Sequence, residues 1–382
     1  MDKKNKNPNV PNLRFSYKGD WSKRKLNEIC QFFKGNGLSK SDLSNEGFPC
    51  ILYGELYTTY KNEVISDIIS KTNTTLSNPF LSRNNDLIIP GSGEDPIDIA
   101  VARAIYQNDI ILGGDLNILR PKSNVSAAFL SYQLNGVRRY DIAKKAQGKS
   151  IVHLHNSDLK EVLVSIPSYE EQLHIVKLLT KIDEMIEIQS KIIDDYNSLK
   201  MGIYNWMFKE NCADYKLKQL ANIVKGDQIN NNQLLSNGSY YMMNGGTLPS
   251  GYLDSYNVSE NTISISEGGN SCGYVQFNKE RFWSGGHCYT IQNVNPLIVE
   301  NKYLYHYLKH KEKEIMNLRI GTGLPNIQKK DLENFTIFVP NLLIQRKNLA
   351  LFEMLDEKIC ILNEELERLE KQKKYLLRNL FI

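Results

Sequence analysis

The sequence lacks several features that would assign the chain to a common class. It has no run of about 18 apolar residues, so no membrane span is expected. Its N-terminus, Met1–Pro11, is rich in Lys and Asn and has no apolar stretch, which argues against a secretory signal and predicts a loose tail. The 6 cysteines include no closely spaced pair, so reduced thiols in the cytoplasm are expected, without a zinc site or a disulfide framework.

Catalytic motifs are also missing. Residues 143–150 nearly have the spacing of a phosphate-binding loop, but Ala143 stands where the first glycine is required. His306 and His310 have the spacing of a zinc-binding helix, but Tyr307 replaces the catalytic glutamate, so an ordinary helix surface is favoured. No glycine-rich cofactor loop, nuclease triplet or helicase motif accompanies them. The sequence therefore favours a binding or scaffold protein over an enzyme, and no resident metal is expected.

An internal repeat dominates what is present. Residues 167–208 recur as 340–381 with a constant offset of 173 positions, and each copy begins at a proline and contains no other. Identical residues in the two copies include Gln172/Gln345, Asp183/Asp356 and Lys200/Lys373. Glycine turns and short apolar runs before each copy recur at offsets that fall from 194 to 173. The chain is therefore predicted to be a tandem duplication, each half being a globular part followed by a long helix.

Each repeated stretch has the apolar spacing of a coiled-coil seam. The predicted seam residues are Ile182, Ile186, Ile193, Tyr196 and Ile203 in the first copy and Leu355, Ile359, Leu362, Leu366, Leu369 and Leu376 in the second. Each copy predicts one helix of roughly 55 Å, at about 1.5 Å per residue. Because such a helix cannot bury its apolar stripe alone, the two are predicted to pack together. Lys200 and Lys373 interrupt the seam and either extend past the partner helix, or specify register or contact an acidic partner.

The globular parts are predicted to be twisted, partly open antiparallel β domains with a few helices. Short β-branched or aromatic runs bounded by turn residues predict strands at Asp86–Ile89, Asp109–Leu112, Asn117–Arg120, Thr262–Ser266 and Tyr289–Ile291. Helices are expected near Ala127–Lys145 and Asn301–Leu318, and closing strands at Val162–Ile166 and Phe335–Val339. The net charge of +4 permits nucleic-acid binding without requiring it.

A recurring motif precedes both helices. Asp158-Leu159 is followed by Pro167 and Gln172, and Asp331-Leu332 by Pro340 and Gln345. Together with the opening segment 10–26, this pattern resembles the specificity subunit of type I restriction-modification enzymes over residues 10–382. The second copy departs from the pattern, because Leu343-Ile344 stands where the first copy has Glu170-Glu171.

The resemblance implies an α+β fold in which two β-rich target recognition domains are separated by two long antiparallel coiled-coil helices, in a pseudo-twofold tandem repeat. The expected divisions are an N-terminal tail at 1–19, recognition domains at 20–166 and 209–339, and spacer helices at 167–208 and 340–382. Each recognition domain would read one half of an asymmetric bipartite site in double-stranded DNA. Two methyltransferase subunits would dock on the helices, and two restriction subunits would complete the complex. The chain itself would be non-catalytic and cofactor-free, with S-adenosylmethionine, ATP and Mg used by the partner subunits.

Base contacts are expected from polar side chains at or near the glycine turns that align between the halves. The candidates are Lys34, Tyr53, Ser92, Glu94, Arg103 and Lys149 in the first half, and Lys225, Asn244, Glu267, Asn270, Ser271, His287 and Thr322 in the second. For each residue alone, a solvated loop position is the alternative. For the whole chain, the alternative is a coiled-coil scaffold whose β domains bind protein or carbohydrate.

Overall fold

The computed structural model describes residues 7–207, 212–321, 323 and 325–382. It divides into two compact units, the first comprising residues up to Ser190 together with Glu364–Ile382, and the second Lys191–Asn363. The two boundaries lie 173 residues apart, the same offset as the sequence repeat. Each unit therefore contains a β-rich part and portions of both long helices. None of the helices in the described part of the chain combines the length and the apolar character that a membrane span requires.

The first unit contains most of the short strands. They are β1 (Ser22–Lys25), β2 (Cys30–Lys34), β3 (Leu43–Ser44), β4 (Phe48–Ile51), β5 (Val64–Ile65), β6 (Ser70–Thr72), β7 (Asp86–Pro90), β8 (Ser92–Gly93), β9 (Arg103–Ile105), β10 (Ile111–Leu112), β11 (Leu116–Pro121), β12 (Gln147–Gly148), β13 (Val152–His153) and β14 (Leu163–Ile166). Its helices are α1 (Leu26–Ile29), α2 (Glu55–Thr58), α3 (Pro96–Ile99), α4 (Ala127–Asn135), α5 (Arg139–Ala143), α6 (Asn156–Lys160) and the first part of α7 (Tyr169–Met207). The sheets have the orders β2-β11-β7-β9-β5, β10-β4-β6-β3, β12-β13-β8 and β1-β14.

The second unit repeats the plan with fewer strands. They are β15 (Ala213–Lys216), β16 (Asn222–Lys225), β17 (Tyr240–Met243), β18 (Gly251–Leu253), β19 (Thr262–Ser266), β20 (Val275–Asn278), β21 (Trp283–Ser284), β22 (Cys288–Gln292) and β23 (Thr336–Val339). The helices are α8 (Leu217–Leu220), α9 (Asn301–His310), α10 (Glu312–Met316), α11 (Lys329–Glu333) and the first part of α12 (Leu342–Asn379). The sheets have the orders β16-β22-β19-β20, β18-β17-β21 and β15-β23.

The predicted α+β tandem repeat is confirmed, because the β2-β11-β7 core of the first unit corresponds to β16-β22-β19 of the second. The predicted antiparallel domains also contain parallel pairs, which the sequence did not indicate. Strands β4 and β10, β5 and β9, and β17 and β21 pair in parallel. Parallel neighbours need a long crossover connection, and the segments between the partners of each pair supply one.

Both predicted mid-domain helices are interrupted. The stretch 127–145 forms α4 and α5, separated at Gly136, whose φ of −88° and ψ of −104° are not helical. A Cβ at Gly136 would lie 2.9 Å from the carbonyl oxygen of Tyr132. The stretch 301–318 forms α9 and α10, separated at Lys311. Apolar spacing predicted the helical content but not these local departures from helical backbone angles.

The glutamine of the repeated motif fastens each long helix to its domain. Gln172 is fully buried, and its Oε1 accepts a hydrogen bond of 2.9 Å from the backbone N–H of Ser126. Its Nε2 donates to the carbonyl oxygens of Asn124 and Pro167. In the second unit, the buried Gln345 makes the corresponding contacts with Glu300, Ile298 and Pro340. A fully satisfied buried amide at this point explains why the same residue type occurs in both copies.

Leu13 and Arg14, in the predicted segment 1–19, pack against both long helices. The Arg14 guanidinium donates two hydrogen bonds of 2.7 Å to the Glu171 carboxylate, which also accepts a bond of 3.2 Å from the Trp21 indole. The Leu13 N–H donates to the carbonyl oxygen of Asn379. Because Glu171 is only 1% exposed, its charge needs these partners. Ile344 occupies the corresponding position of the second copy and has no carboxylate to make such contacts.

Each unit contains an antiparallel pairing of α7 with α12 that is marked by an ion pair between repeated residues. In the first unit, Lys373 Nζ lies 2.6 Å from Asp183 Oδ1. In the second, Lys200 forms an ion pair with Asp356. The lysine of each copy therefore meets the aspartate of the other, which favours register specification as the role of both lysines. All eleven predicted seam residues are buried or half-buried.

The ion pair of the first unit belongs to a buried network. Lys373 also lies 2.7 Å from Glu63, and the Tyr132 hydroxyl donates a bond of 2.6 Å to Asp183. Burial acts to lower the pKa of Lys373, but attraction to the two carboxylates outweighs it and the pKa is raised. Burial raises the pKa of Asp183. Attraction to Lys373 acts in the opposite direction, but repulsion from Glu63 offsets it, so the pKa stays raised. The network thus holds one ammonium between two carboxylates.

The ion pair of the second unit borders a buried histidine. His306, expected on a helix surface, is only 5% exposed, and its Nδ1 lies 2.9 Å from the Tyr204 hydroxyl and 3.9 Å from Asp356. Burial lowers the pKa of His306 to about 4 despite the attraction of Asp356. The expectation was wrong because α9 turns this side chain toward α7 and α12 instead of toward solvent.

The lowered pKa of His306 predicts that the second unit loses stability in acid. The unfolded chain protonates His306 near pH 6.5, so the unfolded state binds more protons as the pH falls from there to about 4, and stability falls with it. The expected loss for the second unit is about 2–3 kcal/mol at the lower limit of this window. Denaturant unfolding with amide exchange at pH 7 and pH 4.5 would measure it. The His306→Gln variant should show a weaker dependence, whereas the exposed-site variant His153→Gln should behave as wild type.

Candidate nucleic-acid interface

Three strand ends meet at one edge of the main sheet in each unit. In the first, Lys34 at the end of β2 lies opposite Asn117 of β11, and Pro90 at the end of β7 lies opposite Leu116. Because antiparallel neighbours bring the end of one strand to the start of the next, loops distant in sequence become adjacent. In the second unit, Lys225 lies opposite Tyr289, and Ser266 opposite Cys288.

The backbone beyond these strand ends is the same in both units. The Gly91 N–H donates to the carbonyl oxygen of Asp115, and the Leu154 N–H donates to the carbonyl oxygen of Gly91. The Glu267 N–H donates to the carbonyl oxygen of His287, and the Ile327 N–H to that of Glu267. Residues 91, 115 and 154 are therefore the structural counterparts of 267, 287 and 327. Equivalent backbone positions carry different side chains.

In the first unit this edge presents Lys34 and Asp115. Both are exposed, and Asp115 Oδ2 accepts a hydrogen bond of 3.1 Å from the Ser92 hydroxyl. Glycine is required at position 91, since a Cβ there would lie 2.7 Å from the Asp115 carbonyl oxygen and 3.2 Å from Lys34 Nζ. The Asn117 amide links two segments at this edge by donating to the carbonyl oxygens of Pro90 and Leu154.

In the second unit the edge is centred on a buried carboxylate. Glu267 is 8% exposed, and its Oε1 lies 2.6 Å from Lys225 Nζ and 3.0 Å from the Tyr289 hydroxyl. Burial raises the pKa of Tyr289, so the phenol keeps its proton as a donor. The other oxygen, Oε2, lies 3.7 Å from Nδ1 of His287, whose side chain is 61% exposed. The Asn244 side chain holds this loop by accepting a bond from the His287 N–H.

A basic hairpin borders the edge of the first unit. Strands β12 and β13 form it, and β13 also pairs with β8, which contains Ser92. The preceding segment and the hairpin tip carry exposed lysines at 144, 145 and 149, and the sequence has no acidic residue between Asp141 and Asp158. Gly148 has a φ of +139° at the turn, where a Cβ would lie 2.0 Å from the Ile151 carbonyl oxygen. Such a cluster suits contact with a phosphate backbone.

The structure gathers part of the predicted residue set. Lys34 and Ser92 lie together in the first unit, and Lys225, Asn244, Glu267 and His287 lie together in the second. Lys149 lies on the bordering hairpin, and Tyr53 and Glu94 are both near enough to Tyr57 to raise its pKa, after the larger effect of burial. Asn270 and Ser271 lie in the turn after β19, and Thr322 lies outside the described residues.

Arg103 is not where the sequence placed it. It lies on β9 rather than on a loop, is 6% exposed, and donates from Nε to the carbonyl oxygen of Leu56. Strand β9 runs between β7 and β5, so this side chain is enclosed by its own domain. The prediction of a base-reading loop residue at Arg103 is therefore wrong.

Sequence reasoning missed Asp115. It follows Gly113-Gly114 as His287 follows Gly285-Gly286, and it has a φ of +58°. Aspartate is among the few residues that tolerate this left-handed backbone. The double-glycine signal that selected His287 would have found Asp115 if it had been applied to both halves.

An internally duplicated chain with two matched sheet edges of unlike chemistry has the architecture of a two-part recognition protein. The family model described as the type I restriction modification DNA specificity domain matches residues 18–195 and again residues 209–371. These matches cover most of the chain. The chain therefore belongs to this family.

Individual relatives agree with the family assignment. A putative type I specificity subunit of Mycoplasma pneumoniae is 34% identical over 152 residues, which span 40% of this chain and 40% of that relative. The chain thus spans about two fifths of the length of this relative. A putative type I restriction enzyme specificity subunit of Methanocaldococcus jannaschii is 22% identical over 405 aligned positions, covering 94% of this chain and 92% of the relative.

A solved structure shares the fold. The crystal structure of the S subunit of a type I restriction-modification system from M. genitalium matches with a TM-score of 0.70 at 19% identity. The match covers 98% of this chain and 99% of that chain. The α+β architecture with two long helices is therefore the architecture of a known specificity subunit.

Proposed function

We propose that this chain is the DNA specificity subunit of a type I restriction-modification enzyme, and that each β-rich domain reads one half of an asymmetric bipartite site in duplex DNA. The observation that carries the proposal is the pair of matched sheet edges. Their backbone hydrogen bonds correspond, but the side chains at equivalent positions differ. Gly91 of the first unit corresponds to Glu267 of the second, and Asp115 corresponds to His287. Family membership supports the same role.

The side chains at these edges suit the major groove. Lysine donates to the O6 and N7 acceptors of guanine, and carboxylates accept from the amino group of cytosine. Both units place a lysine at the same scaffold position, Lys34 or Lys225, but place their carboxylates at different ones. Two half-sites that share a donor contact and differ at neighbouring bases are therefore expected.

On this proposal the chain supplies recognition and its partners supply chemistry. Two methyltransferase subunits use S-adenosylmethionine, and two restriction subunits use ATP and Mg. The helix pair of the second unit offers an apolar surface for a methyltransferase subunit. Leu199 and Trp206 on α7 are 52% and 67% exposed, and Met354 and Ile361 on α12 are 60% and 44% exposed. Each pair is seven residues apart and therefore lies on one face of its helix.

Substitution of Trp206 by Asp is expected to prevent this docking, because a charge would be buried in the interface. Co-purification of the chain with its methyltransferase subunit would measure the effect. The control is Leu297→Asp, at a loop residue that is 84% exposed. If Trp206→Asp binds the methyltransferase as tightly as the control does, the docking surface lies elsewhere.

A selection from random duplex DNA tests the recognition function. The full chain, assembled with its methyltransferase, should enrich two short unlike sequences at a fixed separation. Replacing residues 214–339 by the corresponding segment of another family member should change one half-site and leave the other unchanged. Wild-type complex that enriches no bipartite sequence, or a replacement that alters both half-sites, would refute the proposal.

The basic hairpin predicts a salt effect. Replacing Lys144, Lys145 and Lys149 with Ala should lower the magnitude of the slope of log affinity against log salt by about 0.9 per lost phosphate contact, or up to about 2.7 in total. Titrations between about 50 and 200 mM salt would measure it. The enriched sequence should stay the same, because phosphate contacts carry no base information. A matched triple variant on the second long helix, Lys358→Ala with Lys371→Ala and Lys374→Ala, should leave the slope unchanged.

A further inference from the structure

Glu267 is held by hydrogen bonds through both its backbone and its side chain. Its backbone is fixed on both sides, because its N–H donates to the His287 carbonyl oxygen and its own carbonyl oxygen accepts from the Ile327 N–H, each at 2.9 Å. Its Oε1 is fixed by Lys225 and Tyr289. A base-contacting group held in this way loses little conformational freedom on binding.

The second carboxylate oxygen is buried without a hydrogen bond. Glu267 Oε2 has no hydrogen-bond partner among the described residues, and the residue as a whole is only 8% exposed. A buried acceptor left in this state destabilises the folded chain. Nδ1 of His287 lies 3.7 Å from Oε2, which is too distant for a normal hydrogen bond.

The side chain of His287 lies beside this oxygen and is largely exposed. Among the described residues, the hydrogen bonds of His287 are made by its backbone, to the Asn244 side chain and to the Glu267 N–H. The side chain can therefore rotate away without breaking a hydrogen bond of its own. Rotation would open Oε2 toward the edge where a base would lie.

We infer that Glu267 determines one base of the half-site read by the second unit, by accepting a hydrogen bond on Oε2 from the exocyclic amino group of adenine or cytosine in the major groove. This inference rests on the proposed function. Both amino groups are donors in that groove, whereas guanine and thymine present oxygen acceptors there, which a carboxylate repels. The first unit has Gly91 at the corresponding position and makes no such contact.

Lys225 makes this arrangement compatible with DNA. A carboxylate near a phosphate backbone is repelled unless a cation offsets its charge. Lys225 supplies that cation at Oε1, and the Tyr289 hydroxyl occupies the same oxygen. The free oxygen is thereby left as the acceptor, and the charge of the pair is close to neutral.

The test compares three variants of the full chain, each assembled with its methyltransferase, by selection from random duplex DNA. Glu267→Ala should lose a roughly 10- to 100-fold preference at one position of one half-site and leave the other positions intact. In Glu267→Gln the amide oxygen stays with the donors Lys225 and Tyr289, so an NH2 group takes the place of Oε2. The preference for a base with an amino group should therefore be lost and replaced by a preference for a base that presents an acceptor there, guanine or thymine. Glu280→Gln, at an exposed site of the same unit, should select the wild-type sequence.

Thermal unfolding of each variant accompanies the selection, and Glu267→Gln preserves the size of the side chain in case Glu267→Ala does not fold. If both variants fold and select the wild-type sequence at every position, the inference is wrong. It is also wrong if the preferences weaken equally at all positions, which would indicate a purely structural role. A wild-type complex that selects no bipartite sequence would remove the proposed function itself, and this inference with it.

Discussion

Replacement of Lys373 by Leu is expected to destabilise the first unit by about 3–5 kcal/mol, the cost of leaving buried charges without their partner. Lys373 lies between Glu63 and Asp183, whose side chains are 8% and 5% exposed. Without the ammonium, both carboxylates must be protonated or remain unpaired in the interior. Denaturant unfolding of the full chain, with amide exchange to assign the loss to α7 before Ser190, would measure the change.

The repeat supplies a matched control for this substitution. Lys200 occupies the corresponding position in the second unit, but its partner Asp356 is 42% exposed. Solvent screens that pair, so Lys200→Leu should cost no more than about 1 kcal/mol. Removing one of the two carboxylates with Asp183→Asn in the Lys373→Leu background should recover part of the lost stability, because one buried negative charge fewer is left without a partner. Equal effects of Lys373→Leu and Lys200→Leu would show that the difference in burial does not control these ion pairs.

The long helices were predictable because their determinants are local and repeated. Heptad spacing and the absence of internal proline defined both, and the structure has them as Tyr169–Met207 and Leu342–Asn379. Strand β19 coincides with its prediction at Thr262–Ser266, where a β-branched run is bounded by turn residues. The constant offset between the two copies also indicated which lysine and aspartate correspond, although not that each lysine would meet the aspartate of the other copy.

The remaining features depend on contacts between distant segments. Pairing of β4 with β10 joins residues about sixty positions apart, and no local pattern marks it. Burial of Arg103 follows from the strands on either side of β9, and burial of His306 from the packing of α9 against both long helices. The candidate interface was partly predictable because glycines mark close backbone approaches. The buried state of Glu267 was not, because it requires Lys225 and Tyr289 to converge from two other strands.

An insertion of four residues after Ser190 alone is expected to disrupt the helix pair. It lengthens α7 by about 6 Å, while α12 keeps its length. The pair of Asp183 with Lys373 lies before the insertion and the pair of Lys200 with Asp356 after it, so the two cannot form together. Sequence-specific binding should be lost, or retained only with reduced stability. Denaturant unfolding and selection from random DNA would measure both.

Matching insertions after Ser190 and after Asn363 provide the compensating variant, since these positions are the two unit boundaries. Both helices then lengthen by about 6 Å, and both ion pairs can form again. If the helices set the distance between the two half-sites, the unread segment between them should grow by one or two base pairs, at about 3.4 Å each. The bases of each half-site should be unchanged, because neither recognition edge is altered. A double-insertion variant that binds tightly with the wild-type separation would show that something other than helix length fixes the spacing.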